Sequence, residues 1–118
     1  MRLRVNNVTR ARLLADRAER ATSFMDRFVG LMGRRSLAFG EGLHLVPCNS
    51  VHTFFMRLPI DVVFLDRDGL IVKQFPALLP WRVTSVYFQA RSVLELPAGT
   101  LQASGTQEGD RLAFEPLA

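Results

Sequence analysis

IDVVFLDRDGLIVKQF, residues 60 to 75, decides how this chain folds. Ile60 to Leu65 is an almost continuous apolar run, of the length and β-branched content of a buried strand. DRDG at 66 to 69 is a hairpin loop with Gly69 placed for positive φ, and Leu70 to Phe75 is the return strand. A strand apolar on both faces needs cover on both faces. That requirement organises the rest of the chain.

Working outward, Ser92 to Leu96 and Val83 to Ala90 read as further strands, separated from the hairpin by a loop holding Pro76, Pro80 and Trp81. Pro97-Ala98-Gly99 is a turn, a short helical turn or loop follows Thr100, and QEGD at 107 to 110 leads into a last strand, Arg111 to Phe114. On the other side, Gly40 and Gly42 open a turn before the apolar GLHLVP, and Pro47 stops any helix there. Leu3 and Val5 alternate with Arg2 and Arg4 as in a strand, and Asn6-Asn7 suits a turn. RLLADRAERA at 12 to 21 has helix-forming composition without a clean period, so strand and helix both stay open. Thr22-Ser23 gives the clearest helix signal. Ser23 with Asp26 three residues on suits an N-cap, and Phe24, Phe28, Leu31 and Met32 recur on one face, giving a helix over about residues 23-33 that stops at Gly33. Gly30 lies within it and marks a close backbone approach.

The expected fold class is therefore α+β and β-rich, a small antiparallel barrel or curled sheet with one N-terminal-side helix. At 118 residues with 48% apolar side chains and nine phenylalanines, the chain suits a single domain, 1-118, with one core. Charged residues make up 22%, which excludes a disordered polyelectrolyte.

The net charge of +4 is uneven: nine arginines face three acidic side chains in residues 1 to 35, and six basic face eight acidic ones beyond. Arginine can pair bidentately with phosphate, so the N-terminal third raises nucleic acid as a partner. No reader motif accompanies the charge, and Arg replaces Lys throughout except at Lys73, as in a GC-rich genome; nucleic acid is disfavoured. A single cysteine excludes an intramolecular disulfide and suits a reducing compartment. No stretch has the apolar length of a signal peptide or a membrane span, so the expected location is cytoplasmic.

Chemistry-bearing residues gather in PCNSVHTFFMRLPID, residues 47 to 61. Cys48 and His52 are four apart across Asn49-Ser50; a turn there could let an imidazole activate the thiol, whereas an extended strand would hold them about 13 Å apart. Alternatively Cys48 is a small buried hydrophobe and His52 a hydrogen-bonded rim residue. His44, Cys48 and His52 are evenly spaced, but Pro47 breaks the helix that would align them on zinc, so no metal and no cofactor is expected and His44 is read as structural. Asp61 interrupts the apolar run and needs a partner or a cleft; Arg57, four residues earlier, is the obvious partner. Glu95, between Leu94 and Leu96, falls on the wet face by strict alternation. Trp81 is expected to fold back on the barrel.

GLMGR at 30 to 34, PCNSVHTFFMRLPIDVVFLD at 47 to 66, VLELPAGT at 93 to 100 and EGDRL at 108 to 112 together resemble the bacterial and archaeal family called domain of unknown function 192, also described as uncharacterised protein family 0127. The resemblance spans about Thr22 to Glu115. It implies a compact, mostly β domain with a helix near its N-terminal end and carries no biochemical activity. Relatives often read Trp-Met and Lys-Asn-Thr where this chain has Phe55-Met56 and neighbouring residues, and many resemble exported proteins.

The functional reading is a binding module for an unknown small molecule or protein on the Cys48 to Asp61 surface, with His52, Thr53, Met56, Arg57 and Asp61 as binding residues. The rival is a Cys/His enzyme on an acyl-type substrate, with Cys48 as nucleophile, His52 as base and Asp61 as the third candidate.

Overall fold

A computed structural model describes residues 1 to 117. Strands β1 (Arg2–Asn7), β2 (Arg12–Ala21), β3 (Gly40–Leu45), β4 (Ile60–Leu65), β5 (Ile71–Leu78), β6 (Ser92–Pro97) and β7 (Leu112–Pro116) form one sheet in the order β5-β4-β6-β3-β2-β1-β7. Every pairing is antiparallel except β2 with β3, where the chain crosses through helix α1 (Phe24–Val29). The sheet curls until its two edges touch at one end: Ile71 N–H donates to the Asp110 carbonyl at 2.9 Å and Leu112 N–H to the Gly69 carbonyl at 2.8 Å. The result is a half-barrel, β-rich as the sequence requires. A second short helix, α2 (Thr100–Ser104), plugs against β2.

The two faces of the central strands bury different clusters. Val63, Leu65, Leu94 and Leu96 point into the barrel with Leu3, Val5 and Leu112. Ile60, Val62, Phe64 and Val93 point outward, where Val51, Met56 and Ala90 cover them from two long loops, residues 46–59 and 79–91. Because the loops supply the second layer, every residue of β4 and β6 is buried, and this is why the 60 to 65 run is apolar without alternation. The hairpin is as read, with Gly69 at φ 80°.

Several local expectations are corrected. Arg12–Ala21 resolves as strand, because β1 and β3 offer it ladders on both sides. The helix is shorter than 23-33: Ser23 caps it as expected, its Oγ accepting from Asp26 N–H at 3.0 Å, but Gly30 terminates it at φ 49°. Phe24 and Phe28 are consequently exposed, at 72% and 51%, and do not enter the core. Residues 83–90 form no ladder strand. Their backbone bonds instead tie the two covering loops together, Thr84 N–H to the Val51 carbonyl and Tyr87 N–H to the Asn49 carbonyl, each at 2.9 Å. Asn7 ends β1 and the turn begins after it: the side chain is fully buried, its Oδ1 accepting from Arg10 N–H at 3.1 Å and its Nδ2 donating to Thr106 Oγ1 and Asp110 Oδ2 at 3.0 Å. Among the described residues, no helix is long and apolar enough to cross a membrane.

Candidate functional site

A cavity of about 410 Å³ opens between α1 with its following turn and the Pro47 to His52 loop. Phe24, Phe28, Leu31 and Met56 supply apolar walls, and Cys48, Ser50, His52 and Arg27 supply polar ones. Its floor is β3 and β6, through Leu45 and Glu95. Glu95 pairs with Leu43 across the sheet and with Val62 of β4, so it stands on the outward face, beneath the covering loops rather than in water. The alternation of its neighbours was right; the wet face was wrong, because the loops cover it. Glu95 is 4% exposed and, among the described residues, its carboxyl has no hydrogen bond and no ion pair. Burial pushes its pKa up to about 8, so the free protein holds it as a neutral acid at pH 7.

The Cys48 thiol donates to the Ser50 carbonyl at 3.0 Å. Burial raises its pKa; the Ser50 bond opposes that rise, the nearby Glu95 carboxyl adds to it, and Arg27 opposes it more weakly. This thiol is a poor nucleophile at neutral pH. His52 Nδ1 accepts from Phe54 N–H at 3.1 Å, which assigns the proton to Nε2, and Nε2 lies 3.1 Å from the Phe28 carbonyl that it donates to. Both imidazole nitrogens are therefore engaged with backbone. Cys48 and His52 share the cavity wall, but their polar atoms serve the loop and not each other.

The remaining sequence candidates separate. Met56 is buried beside the cavity. Thr53 is fully buried and stitches the two loops: its Oγ1 donates to the Leu79 carbonyl at 2.7 Å and accepts from Arg82 N–H at 2.8 Å. Arg57 is exposed and does not meet Asp61. Asp61 faces the barrel interior at 0% exposure, its Oδ1 accepting from Ala77 N–H and its Oδ2 from Leu101 N–H, both at 2.8 Å. The expected Arg57–Asp61 pair is thus replaced by backbone donors, freed by the irregular β4–β5 register and by the start of α2. His44 also points inward, away from Cys48 and His52, stacking on Phe114 at 4.0 Å and accepting at Nδ1 from Arg20 Nε at 3.3 Å. Burial and the Arg20 charge lower its pKa to about 3.

An exposed aromatic ridge borders the cavity mouth. Phe28 packs on His52 at 5.2 Å, His52 on Phe54 at 5.2 Å and Phe55 on Trp81 at 4.8 Å. Trp81 is 57% exposed and leans on the neighbouring loop, not back on the barrel as expected.

The profile of domain of unknown function 192 (DUF192), described as an uncharacterized ACR, matches residues 5–114. The chain belongs to this family. Two archaeal relatives are similar along most of this DUF192 chain: a UPF0127 protein of Pyrococcus furiosus, 36% identical over 94% of the chain and 97% of the relative, and one of Thermococcus gammatolerans, 32% identical over 92% and 73%. Among solved structures, the DUF192 chain is similar to a putative transcription regulator from Sinorhizobium meliloti, with TM-score 0.82, 28% identity, and coverage of 96% of this chain and 92% of that one. A protein of unknown function from Novosphingobium aromaticivorans has the same fold, with TM-score 0.82, 22% identity, and coverage of 96% and 84%. The resemblance carried by Gly30 to Arg34, Pro47 to Asp66, Val93 to Thr100 and Glu108 to Leu112 thus agrees with the family match, and the family is an uncharacterised one.

Glu95 is the residue that sequence reasoning missed. Its signal lay in VLELP: a five-residue apolar strand with one carboxylate, in a sheet whose central strands need cover on both faces. Gly30, read as a close-packing glycine inside a helix, stands instead at the helix end over that carboxylate.

Proposed function

We propose that this chain is a small-molecule binding module and that the cavity above Glu95 is its site. One observation carries the reading: a buried carboxyl, unpartnered among the described residues, lies on the floor of a preformed, mostly apolar cavity. A carboxyl that reaches a preformed cavity without a protein partner is a group that a ligand can engage. In this reading His52 and Met56 keep the binding role expected of them, joined by Cys48 and Glu95. Thr53 and Asp61 hold the loops and the barrel, and Arg57 lies outside the site. An acyl-transfer enzyme is disfavoured, since the thiol and imidazole are each committed to backbone partners. The unpaired Cys48 suits a reducing compartment, and we take the cytoplasm as the working location.

Small-fragment titration followed by backbone amide NMR tests the reading. Shifts should cluster at Gly30, Cys48, Ser50, His52 and Glu95. Shifts confined to the exposed ridge of Phe54, Phe55 and Trp81 would favour the second reading, a protein partner on that ridge, which its exposed aromatic surface supports.

A further inference from the structure

We infer that the ligand of this cavity carries an ammonium or similar cationic head on an apolar body, and that the head seats on the Glu95 carboxylate. The inference rests on the cavity being the binding site and adds the chemistry of the ligand.

Three features of the cavity point to a cation. First, three of the polar side chains around it already bond to backbone carbonyls or amides. Arg27 Nη1 donates to the Thr22 carbonyl at 2.6 Å, the Cys48 thiol to the Ser50 carbonyl, and His52 uses both nitrogens on backbone. Glu95 is the one carboxyl in the lining, beside the Ser50 hydroxyl and the Asn49 amide. Second, among the described residues no basic side chain forms an ion pair with Glu95, although Arg27 stands in the same wall. Once ionised, the carboxyl finds no counter-charge in the protein, and a cation from outside is the complement of that state. Third, the lining includes Phe24 and Phe28, rings of a kind whose faces attract cations, together with apolar Leu31, Leu45 and Met56. Gly30 keeps the space over the carboxyl open, since a Cβ there would stand 3.4 Å from Glu95 Oε1.

Binding then has a proton balance. The free protein holds Glu95 as COOH below about pH 8, and the free amine is already R–NH₃⁺ below its own pKa of about 10. On association the ammonium keeps its protons, the Glu95 O–H bond breaks, and that proton passes to the buffer. No redox change is involved. The titratable groups facing Glu95 are Cys48 and His52 from the Pro47 to His52 loop, with the fixed charge of Arg27 from α1.

Three probes sharing one six-carbon body test this: hexylamine, 1-hexanol and hexanoate, titrated by calorimetry into the wild-type chain and Glu95→Gln. Hexylamine should bind at least about tenfold more tightly than 1-hexanol. Its affinity should rise about tenfold per pH unit between about pH 6 and pH 8, and about one proton should be released per amine bound, read from enthalpies in buffers of different ionisation heat. Glu95→Gln should abolish the proton release and the preference for amine over alcohol. Equal binding of alcohol and amine, or a preference for hexanoate led by Arg27, would overturn the cationic ligand and leave the cavity as a binding site. Failure of all three probes to bind would overturn both.

Discussion

Gly30 stands over Glu95: a Cβ added to Gly30 would lie 3.4 Å from the Glu95 Oε1 atom and 3.9 Å from Leu43 Cδ2. The glycine ends α1 at φ 49°, ψ −124°, a conformation closed to side chains, so the chain can turn away from the helix without filling the space above the carboxyl. Gly30→Ala should cost about 1–3 kcal/mol through backbone strain, lower the melting temperature by several degrees, and weaken hexylamine binding more than the stability loss alone explains. Thermal melts paired with amine titration measure both effects.

The pH dependence of stability follows from two buried groups of opposite sign. His44 has a native pKa of about 3 against 6.5 unfolded, so its contribution is lost as pH falls from 6.5 toward 3, and stability rises with pH across that window. Glu95 has a native pKa of about 8 against 4.5 unfolded; the native state binds more protons between those values, and stability falls as pH rises through them. From 4.5 to 6.5 the two slopes oppose one another. Above 6.5 only Glu95 acts, so urea unfolding should show a decline between pH 6.5 and 8. Glu95→Gln should flatten that decline while keeping the rise at lower pH.

Cys48 should alkylate slowly at neutral pH, with a rate profile displaced upward from that of a free thiol, because burial and the neighbouring Glu95 both oppose the thiolate. His52→Ala should leave the midpoint of that profile where it is, since His52 bonds to Phe28 and Phe54. A fast, acid-shifted thiol that slows in His52→Ala would restore the Cys/His enzyme.

Asp61 joins three parts of the barrel, from β4 to the Ala77 amide in β5 and the Leu101 amide in α2. Asp61→Ala leaves two buried N–H groups without acceptors and should destabilise the fold by about 2–4 kcal/mol, with Asp61→Asn losing less because one oxygen remains. Arg57→Ala should change stability by less than about 0.5 kcal/mol, as an exposed side chain away from Asp61. Equal losses in Asp61→Ala and Arg57→Ala would reinstate the ion pair.

The site was half legible in the chain itself. Cys48, His52 and Met56 were found because unusual residue types cluster in one irregular segment, and all three line the cavity. Glu95 was passed over because alternation along β6 tells inside from outside only when one face is wet. The 46–59 and 79–91 loops that cover the other face are joined by bonds across about thirty residues, such as Thr53 to Arg82, which no local pattern encodes. Asp61 was recognised as needing a partner, but the near neighbour Arg57 was chosen over amides 16 and 40 residues away.

What the sequence by itself determined are the features set by neighbours a few residues apart. They include the Ile60 to Phe75 hairpin with its Gly69 turn, the Ser23 cap, the β-rich class and the family signature. What only the tertiary structure decided is how distant segments meet: the parallel β2–β3 pairing, the early end of α1 at Gly30, and the burial of Glu95 beneath the Gly30 turn and the Pro47 to His52 loop. The reason is physical. Turns and caps are satisfied within one stretch of backbone, whereas the environment of a carboxyl depends on whatever the rest of the chain places above it.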